Sequence, residues 1–271
     1  MGTQSKQRPG AWFGLLVALC LILAVGALAV FGQDDSDEAL DKPVIGLLTS
    51  LPLVWGEGDP KSVLEGQSEP APVYRRLEER YVVRPMDQLT RIDDVRPDII
   101  LLAQPAALAP ADLVALDNWI RRGGKALILA DPALQWESSL PLGDRRRPLF
   151  TSMLSPLFAH WGVELVLPMD DPRAQTEYNI DGFSLLTAVP GEFRLLGGKS
   201  DAQTHCVLAA RGLLVDCRIA QGRVIAIADA DWLDARFWEE QGVVDRLFGG
   251  PSDNLAFLFD RLATLTAISA N

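Results

Sequence analysis

The chain has 271 residues, of which 48% are hydrophobic, and carries a formal net charge of -11 with a sequence pI of about 4.7. This length suits one α/β domain or two small ones. The acidic balance repels phosphate backbones, so we expect no nucleic-acid partner. Three cysteines are too few for a disulfide scaffold.

The first apolar segment, Trp12 to Phe31, carries no charged residue. About twenty helical residues cross the roughly 30 Å of bilayer hydrocarbon, so the segment predicts a single transmembrane helix. Lys6 and Arg8 precede it and acidic residues follow it, which indicates a cytoplasmic N-terminus and a C-terminal part on the opposite side of the membrane. For a protein of the bacterial inner membrane, that side is the periplasm. A cleaved signal peptide, cut after Ala27-Leu28-Ala29, is the alternative. We favour the anchor because the apolar run exceeds the usual signal-peptide core.

These features divide the sequence into four parts. A cytoplasmic N-terminus (1–11) precedes the transmembrane anchor (12–31), and an acidic tether (32–42) connects the anchor to a periplasmic α/β domain (43–271). Residues 55–71, rich in Gly, Pro, Glu and Ser, predict a loop in this domain.

The first half of the α/β domain alternates between apolar strands and helices. Near-continuous apolar strands indicate a parallel sheet covered on both faces, and right-handed crossovers make that sheet doubly wound. Within the longest of these helices, Pro110 suits the first turn and Gly123 or Gly124 suits the end. The predicted elements are strands 44–48, 81–83, 98–103 and 126–130, and helices 73–80 and 110–122.

The second half of the domain has shorter segments. Residues 149–161 predict a helix that packs Phe150 inward, and residues 168–182 look irregular. Short strands from Phe183 onward, the last three antiparallel, predict a mixed antiparallel edge to the sheet. Ser252-Asp253 then predicts the cap of an amphipathic terminal helix.

Two cysteines lie on one predicted hairpin. If Arg211-Gly212 forms its two-residue turn, Cys206 faces Cys217, and an oxidising compartment would permit a disulfide. Counting residue pairs outward from this turn places Cys206 and Cys217 at a hydrogen-bonded pair of the two strands, where side chains stand farther apart. Two small buried apolar residues are the alternative.

The sequence lacks the motifs of common hydrolytic sites. It contains no G-x-x-x-x-G-K-[ST], no G-x-S-x-G and no H-E-x-x-H. We therefore expect the two histidines, His160 and His205, to be packed or surface residues rather than ligands. We expect no catalytic residue, no metal and no cofactor.

The stretch "GRVIAIADADWLDARFW" allows two interpretations. Asp229 and Asp231 follow a strand, at the end where α/β sheets place ligands, and could bind a cation or orient a sugar. Alternatively, Asp229 stabilises a turn, and Asp231 begins a helix with Asp234 as a near capping box. We favour the second interpretation because no nucleophile, base or metal ligand is evident nearby in the sequence.

Three stretches resemble one family. "DIILLAQPAALAPADLVALDNWIRRGGKALILADP", the Gly222–Trp238 stretch followed by "DNLAFLFDRL", and "VIGLLTSLPLVWGEG" are similar to the auxiliary components of gliding-motility-type (GldG-like) ABC transport systems. The resemblance implies an extracytoplasmic, glutamine-amidotransferase-like and flavodoxin-like domain without the amidotransferase nucleophile. It also implies an ABC permease and a separate ATPase as partners.

The leading hypothesis is therefore a non-catalytic, membrane-anchored auxiliary or binding subunit of an ABC-type transport or envelope assembly system. Pro52 and Trp55 follow the first strand and would rim a ligand crevice, although Trp55 could instead anchor its loop. An envelope hydrolase that uses Asp229 and Asp231 is one alternative, and a structural scaffold is another. The candidate binding residues are Pro52, Trp55, Asp131, Asp229, Asp231 and Asn254.

Overall fold

The apolar runs of the first half form strands that alternate with helices, as their pattern predicts. The structure, a computed structural model, describes residues 42–57, 69–168, 175–197, 202–239 and 252–267. The elements of this half are β1 (Val44–Thr49), α1 (Pro72–Glu78), β2 (Val82–Pro85), α2 (Ile92–Val95), β3 (Ile99–Ala103), α3 (Pro110–Arg121) and β4 (Lys125–Leu129).

The second half is richer in strands than in helices. Its elements are α4 (Ser155–His160), β5 (Val163–Val166), β6 (Gln175–Ile180), β7 (Phe183–Ala188), β8 (Glu192–Leu195), β9 (Thr204–Ala209), β10 (Leu214–Ile219), β11 (Gly222–Ile227) and α5 (Asn254–Ala267).

Seven strands form the central sheet in the order β2-β1-β3-β4-β11-β10-β9. The neighbours from β2 to β11 are parallel, whereas β10 is antiparallel to both β11 and β9. This arrangement confirms a mostly parallel sheet with an antiparallel C-terminal edge. Every residue of β3 and β4 is buried, so the centre of the sheet is covered on both faces. The five parallel strands have the spatial order of flavodoxin-like sheets, with β11 as the fifth.

Helix α3 begins and ends where its sequence predicts. Pro110 occupies its first turn, and Gly123 adopts a φ of 108°, a left-handed conformation that stops a helix. Strand β11 passes so close beneath this end that a Cβ on Gly222 would overlap two backbone carbonyl oxygens, those of Ile120 and Gly124. Glycine at 222 therefore allows β11 to enter the sheet beside β4.

The predicted helix 149–161 is wrong over its first half. Helix α4 begins only at Ser155, and Phe150 is 55% exposed rather than packed inward. Pro156 explains the late start, because a proline ring collides with the carbonyl four residues before it in a helix. The apolar spacing of the segment was therefore a weaker signal than its proline.

The predicted irregular segment 168–182 is wrong over residues 175–180, which form β6. Strands β6 and β7 are an antiparallel pair in which Ile180 faces Phe183. Between them, Asp181 and Gly182 both have positive φ, 53° and 87°, as a type I′ turn requires. Asp-Gly is a strong hairpin signal, so the sequence did contain the evidence for this hairpin.

Pro43–Asn271 forms one compact unit, distinct from Met1–Lys42. Among the helices that the structure describes, none has the length and apolar character needed to cross a bilayer. The predicted anchor, residues 12–31, lies outside the described residues, as do most of the predicted tether and residues 58–68 of the predicted loop.

Candidate functional site

A crevice of about 560 Å³ opens at the carboxyl ends of β1 and β2. Pro52 and Trp55, from the turn that follows β1, line it, and Trp55 is 61% exposed. Leu47 and Met86 add further apolar lining. Because β2 and β3 lie on opposite sides of β1, the crevice is next to the point where strand order reverses, which is where open α/β sheets bind ligands. The structure thus places both predicted rim residues at this crevice.

Two loops bring charged groups to the same crevice. Glu57 Oε2 accepts hydrogen bonds from the Ser139 backbone N–H at 2.8 Å and from the Ser139 hydroxyl at 2.7 Å. Arg146 pairs with Asp144 at 2.8 Å. Burial acts to raise the pKa of Glu57, but hydrogen bonds from Ser138 and Ser139 outweigh it and lower that pKa. Sequence reasoning singled out neither Glu57 nor Arg146.

A buried glutamine, Gln104, connects the ends of three neighbouring strands. Its Oε1 accepts from the Asp131 backbone N–H at 2.9 Å, and its Nε2 donates to the carbonyls of Asp131 (3.2 Å) and Leu149 (3.0 Å). Its own carbonyl accepts from the Ser50 N–H at 3.2 Å and from the Ser50 hydroxyl at 2.6 Å. Gln104 therefore holds the ends of β1, β3 and β4 in place. Its one sequence signal is its position directly after β3.

Three aspartates meet at the carboxyl ends of β4 and β11: Asp131, Asp229 and Asp231. Each is 0% exposed, and one carboxylate oxygen of each lies within 4.8 Å of the other two. Asp131 Oδ1 accepts from the Ala133 N–H at 2.7 Å, and its Oδ2 accepts from the Ala230 N–H at 3.1 Å. We call these three residues the aspartate cluster. The sequence identified all three as candidates but gave no sign that Asp131 joins the other two.

Backbone donors also hold the remaining two carboxyl groups. Asp229 Oδ2 accepts from the Ala188 N–H at 2.9 Å, and Asp231 Oδ2 accepts from the Gln135 N–H at 2.8 Å. The other oxygens, Asp229 Oδ1 and Asp231 Oδ1, are buried and accept no hydrogen bond from the part of the chain that the structure describes. Complete burial keeps a polysaccharide away from these carboxyl groups, so the geometry does not support the hydrolase alternative.

Burial and mutual repulsion make the aspartate cluster a poor host for three negative charges. Burial, followed by the charge of Asp231, raises the pKa of Asp131 to about 7. Burial, followed by both neighbouring carboxyl groups, raises the pKa of Asp229 well above its ordinary value. Burial also raises the pKa of Asp231 to about 6, against the hydrogen bond from Gln135 and the charge of Arg236. The cluster therefore favours a positive partner, either protons or a cation.

The prediction that Asp231 begins a capped helix is wrong. Within residues 228–239, the described segment directly after β11, the chain forms two 3₁₀ turns, Asp231–Leu233 and Ala235–Phe237, and no α-helix. Asp231 makes no capping hydrogen bond in the first turn, because its carboxyl group is directed into the cluster. Asp234 caps the second turn instead, by accepting from the Arg236 N–H at 3.0 Å.

Asn254 does not line the crevice, and its side chain is hydrogen-bonded to β7. Its Oδ1 accepts from the Leu186 N–H at 2.9 Å, and its Nδ2 donates to the Leu186 carbonyl at 2.8 Å. The adjacent Asp253 accepts from the Ser184 N–H at 2.8 Å. These bonds attach the start of α5 to β7, so the polar atoms of Asn254 serve the fold.

Cys206 and Cys217 are joined by a disulfide between β9 and β10. The register pairs these two residues directly, as the hairpin count predicts. The connection is longer than two residues, because Ala210–Gly212 forms a 3₁₀ turn. The two Cα atoms are 4.0 Å apart, closer than the roughly 5.5 Å of a hydrogen-bonded rung. The wide spacing that weighed against this pair is therefore not present.

Comparison with known proteins adds one sequence relationship. Residues 42–167 match the family described as ABC-type uncharacterized transport system. The match spans a little under half of the chain, and it includes every residue named above at the crevice. Of the aspartate cluster, it includes Asp131 alone. No curated protein matches the chain.

Several solved structures are similar at low identity. The mmIFT52 N-terminal domain is 10% identical with a TM-score of 0.49, covering 83% of this chain and 97% of its own. The protein STM1381 from Salmonella typhimurium LT2 is 12% identical with a TM-score of 0.45, covering 82% and 99%. The exo-beta-1,4-mannosidase Op5Man5 from Opitutaceae bacterium strain TAV5 is 13% identical with a TM-score of 0.37, covering 84% and 35%. The chain thus spans about a third of the mannosidase, and we base no argument on these similarities.

Proposed function

We propose that this chain is a non-catalytic auxiliary subunit of an ABC-type transport system of the gliding-motility type. In this proposal, residues 12–31 anchor it in the bacterial inner membrane, and its α/β domain lies on the periplasmic side. The crevice around Trp55 binds the permease, which links the subunit to a separate ATPase. The observation that carries the proposal is that the crevice lies wholly within residues 42–167, the stretch that matches the ABC-type family.

The chemistry of the crevice suits a protein partner. Trp55 offers a large exposed aromatic surface, and tryptophan is prominent among residues that dominate binding energy at interfaces. Leu47 and Met86 supply an apolar centre, while Glu57 and Arg146 bring opposite charges to the edge. An apolar centre with a polar rim is the usual anatomy of a protein interface. Charges at the rim contribute mainly to specificity and to the rate of association.

Two observations support the periplasmic location. The Cys206–Cys217 disulfide suits an oxidising compartment, whereas cytosolic thiols are usually kept reduced. The apolar stretch 12–31 has basic residues only before it and acidic residues directly after it, which favours a cytoplasmic N-terminus.

Site-specific photo-crosslinking in membranes tests the proposal. The full-length chain would carry a photoreactive phenylalanine analogue in place of Trp55, and mass spectrometry would identify the crosslinked product. We expect a crosslink to an ABC permease subunit. The variant Trp55→Ala should reduce co-purification of that permease about tenfold, as expected for the loss of about 1.4 kcal/mol at an aromatic anchor.

The matched control places the same crosslinker at Val207. This residue is 54% exposed and lies on β9, at the opposite edge of the central sheet from the crevice. The proposal fails if position 55 yields no transporter subunit, or if position 207 yields the same subunit with equal efficiency.

A further inference from the structure

The aspartate cluster differs from an ordinary group of acidic residues in the extent of its burial. All three side chains are 0% exposed, and two of their oxygens, Asp229 Oδ1 and Asp231 Oδ1, are buried and accept no hydrogen bond from the described residues. A buried polar atom without a partner normally costs about 1–3 kcal/mol, and more when the group is charged. These two oxygens therefore need a hydrogen-bond donor or a cation that the described part of the chain does not supply.

Arg236, the cation that approaches Asp231 among the described residues, does not compensate for the charge of the cluster. Arg236 Nη2 lies 3.8 Å from Asp231 Oδ1, beyond hydrogen-bond distance, and this guanidinium also approaches Asp234 and Glu137. Arg236 thus brings one positive charge, shared with two other carboxylates, to a cluster of three carboxyl groups. Buried charges are normally paired with opposite charge or coordinate a metal ion.

We propose that Asp131, Asp229 and Asp231 together bind one divalent cation of the hard, oxygen-preferring class, with Ca²⁺ as the preferred ion. Carboxylate oxygens are the ligands that Ca²⁺, Mg²⁺ and Mn²⁺ favour. One oxygen from each of the three carboxyl groups lies within 4.8 Å of the other two, close enough for all three to coordinate a single ion. Mg²⁺ usually keeps several waters and binds through one or two carboxylates, whereas Ca²⁺ accepts more protein oxygens, so three fully buried carboxylates suit Ca²⁺ better.

Such an ion would stabilise the connection between the central sheet and the segments at its carboxyl edge. The cluster already connects the ends of β4 and β11 with two other parts of the chain, through Ala188 at the end of β7 and Gln135 in the loop after β4. The cation would cross-link these four segments at one point. This role is independent of the Trp55 crevice and of any partner that binds there.

The test compares the full-length chain, purified in mild detergent and stripped with a chelator, before and after addition of excess Ca²⁺, Mg²⁺ or Mn²⁺ near neutral pH. We expect Ca²⁺ to raise the melting temperature by roughly 5–10 °C when it is present at about 100 times its Kd. Elemental analysis after dialysis should find one Ca²⁺ per chain. Mg²⁺ and Mn²⁺ should give smaller shifts.

Three variants make the result specific to the cluster. Asp229→Asn and, separately, Asp231→Asn should abolish the Ca²⁺-dependent shift, and neither needs Ca²⁺ to fold because each removes a buried charge. Asp93→Asn is the matched control, since its side chain is 84% exposed and pairs with Arg122 at 3.5 Å, and it should retain the full shift. If none of the three ions changes the melting temperature of the stripped wild-type chain, the cluster holds protons instead and the proposal is overturned.

Discussion

At the scale of single residues, the aspartate cluster differs from what its local sequence pattern predicts. Asp229 and Asp231 fall where turns and helix caps normally place aspartate, and a local interpretation accounts for both without any ligand. Asp131 changes this interpretation, because it brings a third carboxyl group into contact through the parallel pairing of β4 with β11. Its Oδ2 accepts from the N–H of Ala230, which is 99 residues away in the chain. A contact of that range is set by strand order, which local periodicity does not reveal.

The raised pKa values of the cluster predict how stability depends on pH in the chelated protein. The pKa values of about 7 for Asp131 and about 6 for Asp231 exceed the unfolded value of 3.8, so the folded state binds more protons than the unfolded chain between these limits. The contribution of these two groups to stability must therefore fall as the pH rises from about 4 to about 7. The Asp131→Asn variant should show a shallower fall, by several degrees in melting temperature across this window.

Calorimetry of the chelated full-length chain and of Asp131→Asn, at matched pH values, measures this difference. Asp144 provides a contrast of opposite sign, because hydrogen bonds from Arg146 lower its pKa to about 2. Removal of Asp144 should slightly reduce stability above about pH 4 and have less effect in more acidic solution. A wild-type chain whose stability falls no more steeply between pH 4 and 7 than that of Asp131→Asn would contradict the raised pKa values.

At the scale of elements, the structure shows which local signals are decisive. The parallel strands and helix α3 follow from apolar runs, from Pro110 and from the glycine stop, because these signals act within one element. The hairpin of β6 and β7 could have been predicted from Asp181-Gly182, had turn chemistry been weighted above the polar composition of the strand. The short helix α4 shows that apolar spacing can mislead. Pro156 decides where this helix begins, although the apolar spacing continues on both sides of the proline.

The β9–β10 pair carries a prediction about the compartment. If the domain is periplasmic, Cys206 and Cys217 should be oxidised in living cells, which leaves Cys20 as the single free thiol of the chain. Cells quenched in acid, denatured and treated with a polymer-linked maleimide should therefore yield a chain with one added polymer. Prior reduction should yield three, a difference that a denaturing gel resolves.

The double variant Cys206→Ala/Cys217→Ala calibrates this assay, because it should accept one polymer with or without reduction. Three additions to the wild-type chain without reductant would mean that the pair is reduced in the cell, and the periplasmic location would then lose its main chemical support. In the purified protein, the same double variant should be destabilised by about 3 kcal/mol, as expected for opening a loop of this length.

At the scale of the whole molecule, the order of the chain and the order of the fold differ. The stretch that matches the ABC-type family, residues 42–167, supplies β1 to β4 and the crevice, and it resembles a complete α/β layer when read as sequence. In space, however, β11 occupies the position beside β4, and α5 contacts β3, β4 and β7. The second half of the chain therefore completes the sheet begun by the first. Sequence reasoning predicted the parallel strands β1 to β4 and the mixed edge correctly, but it missed β6 and could not assign β11 to the middle of the sheet.

This interleaving predicts that a chain ending at residue 167 will not fold cooperatively, although it contains every residue that lines the crevice. Such a chain lacks the hydrogen bonds that pair β4 with β11 from Lys125 to Leu129, and it exposes β4, a strand buried along its full length, as a new apolar edge. It also loses Phe257 and Leu262 of α5, both 0% exposed in the full chain. Urea titration followed by circular dichroism should show a gradual loss of signal, whereas the full-length chain should show a single sigmoidal transition. A sigmoidal transition in the shortened chain would mean that its half of the sheet is stable alone, and the crevice could then be studied without the aspartate cluster.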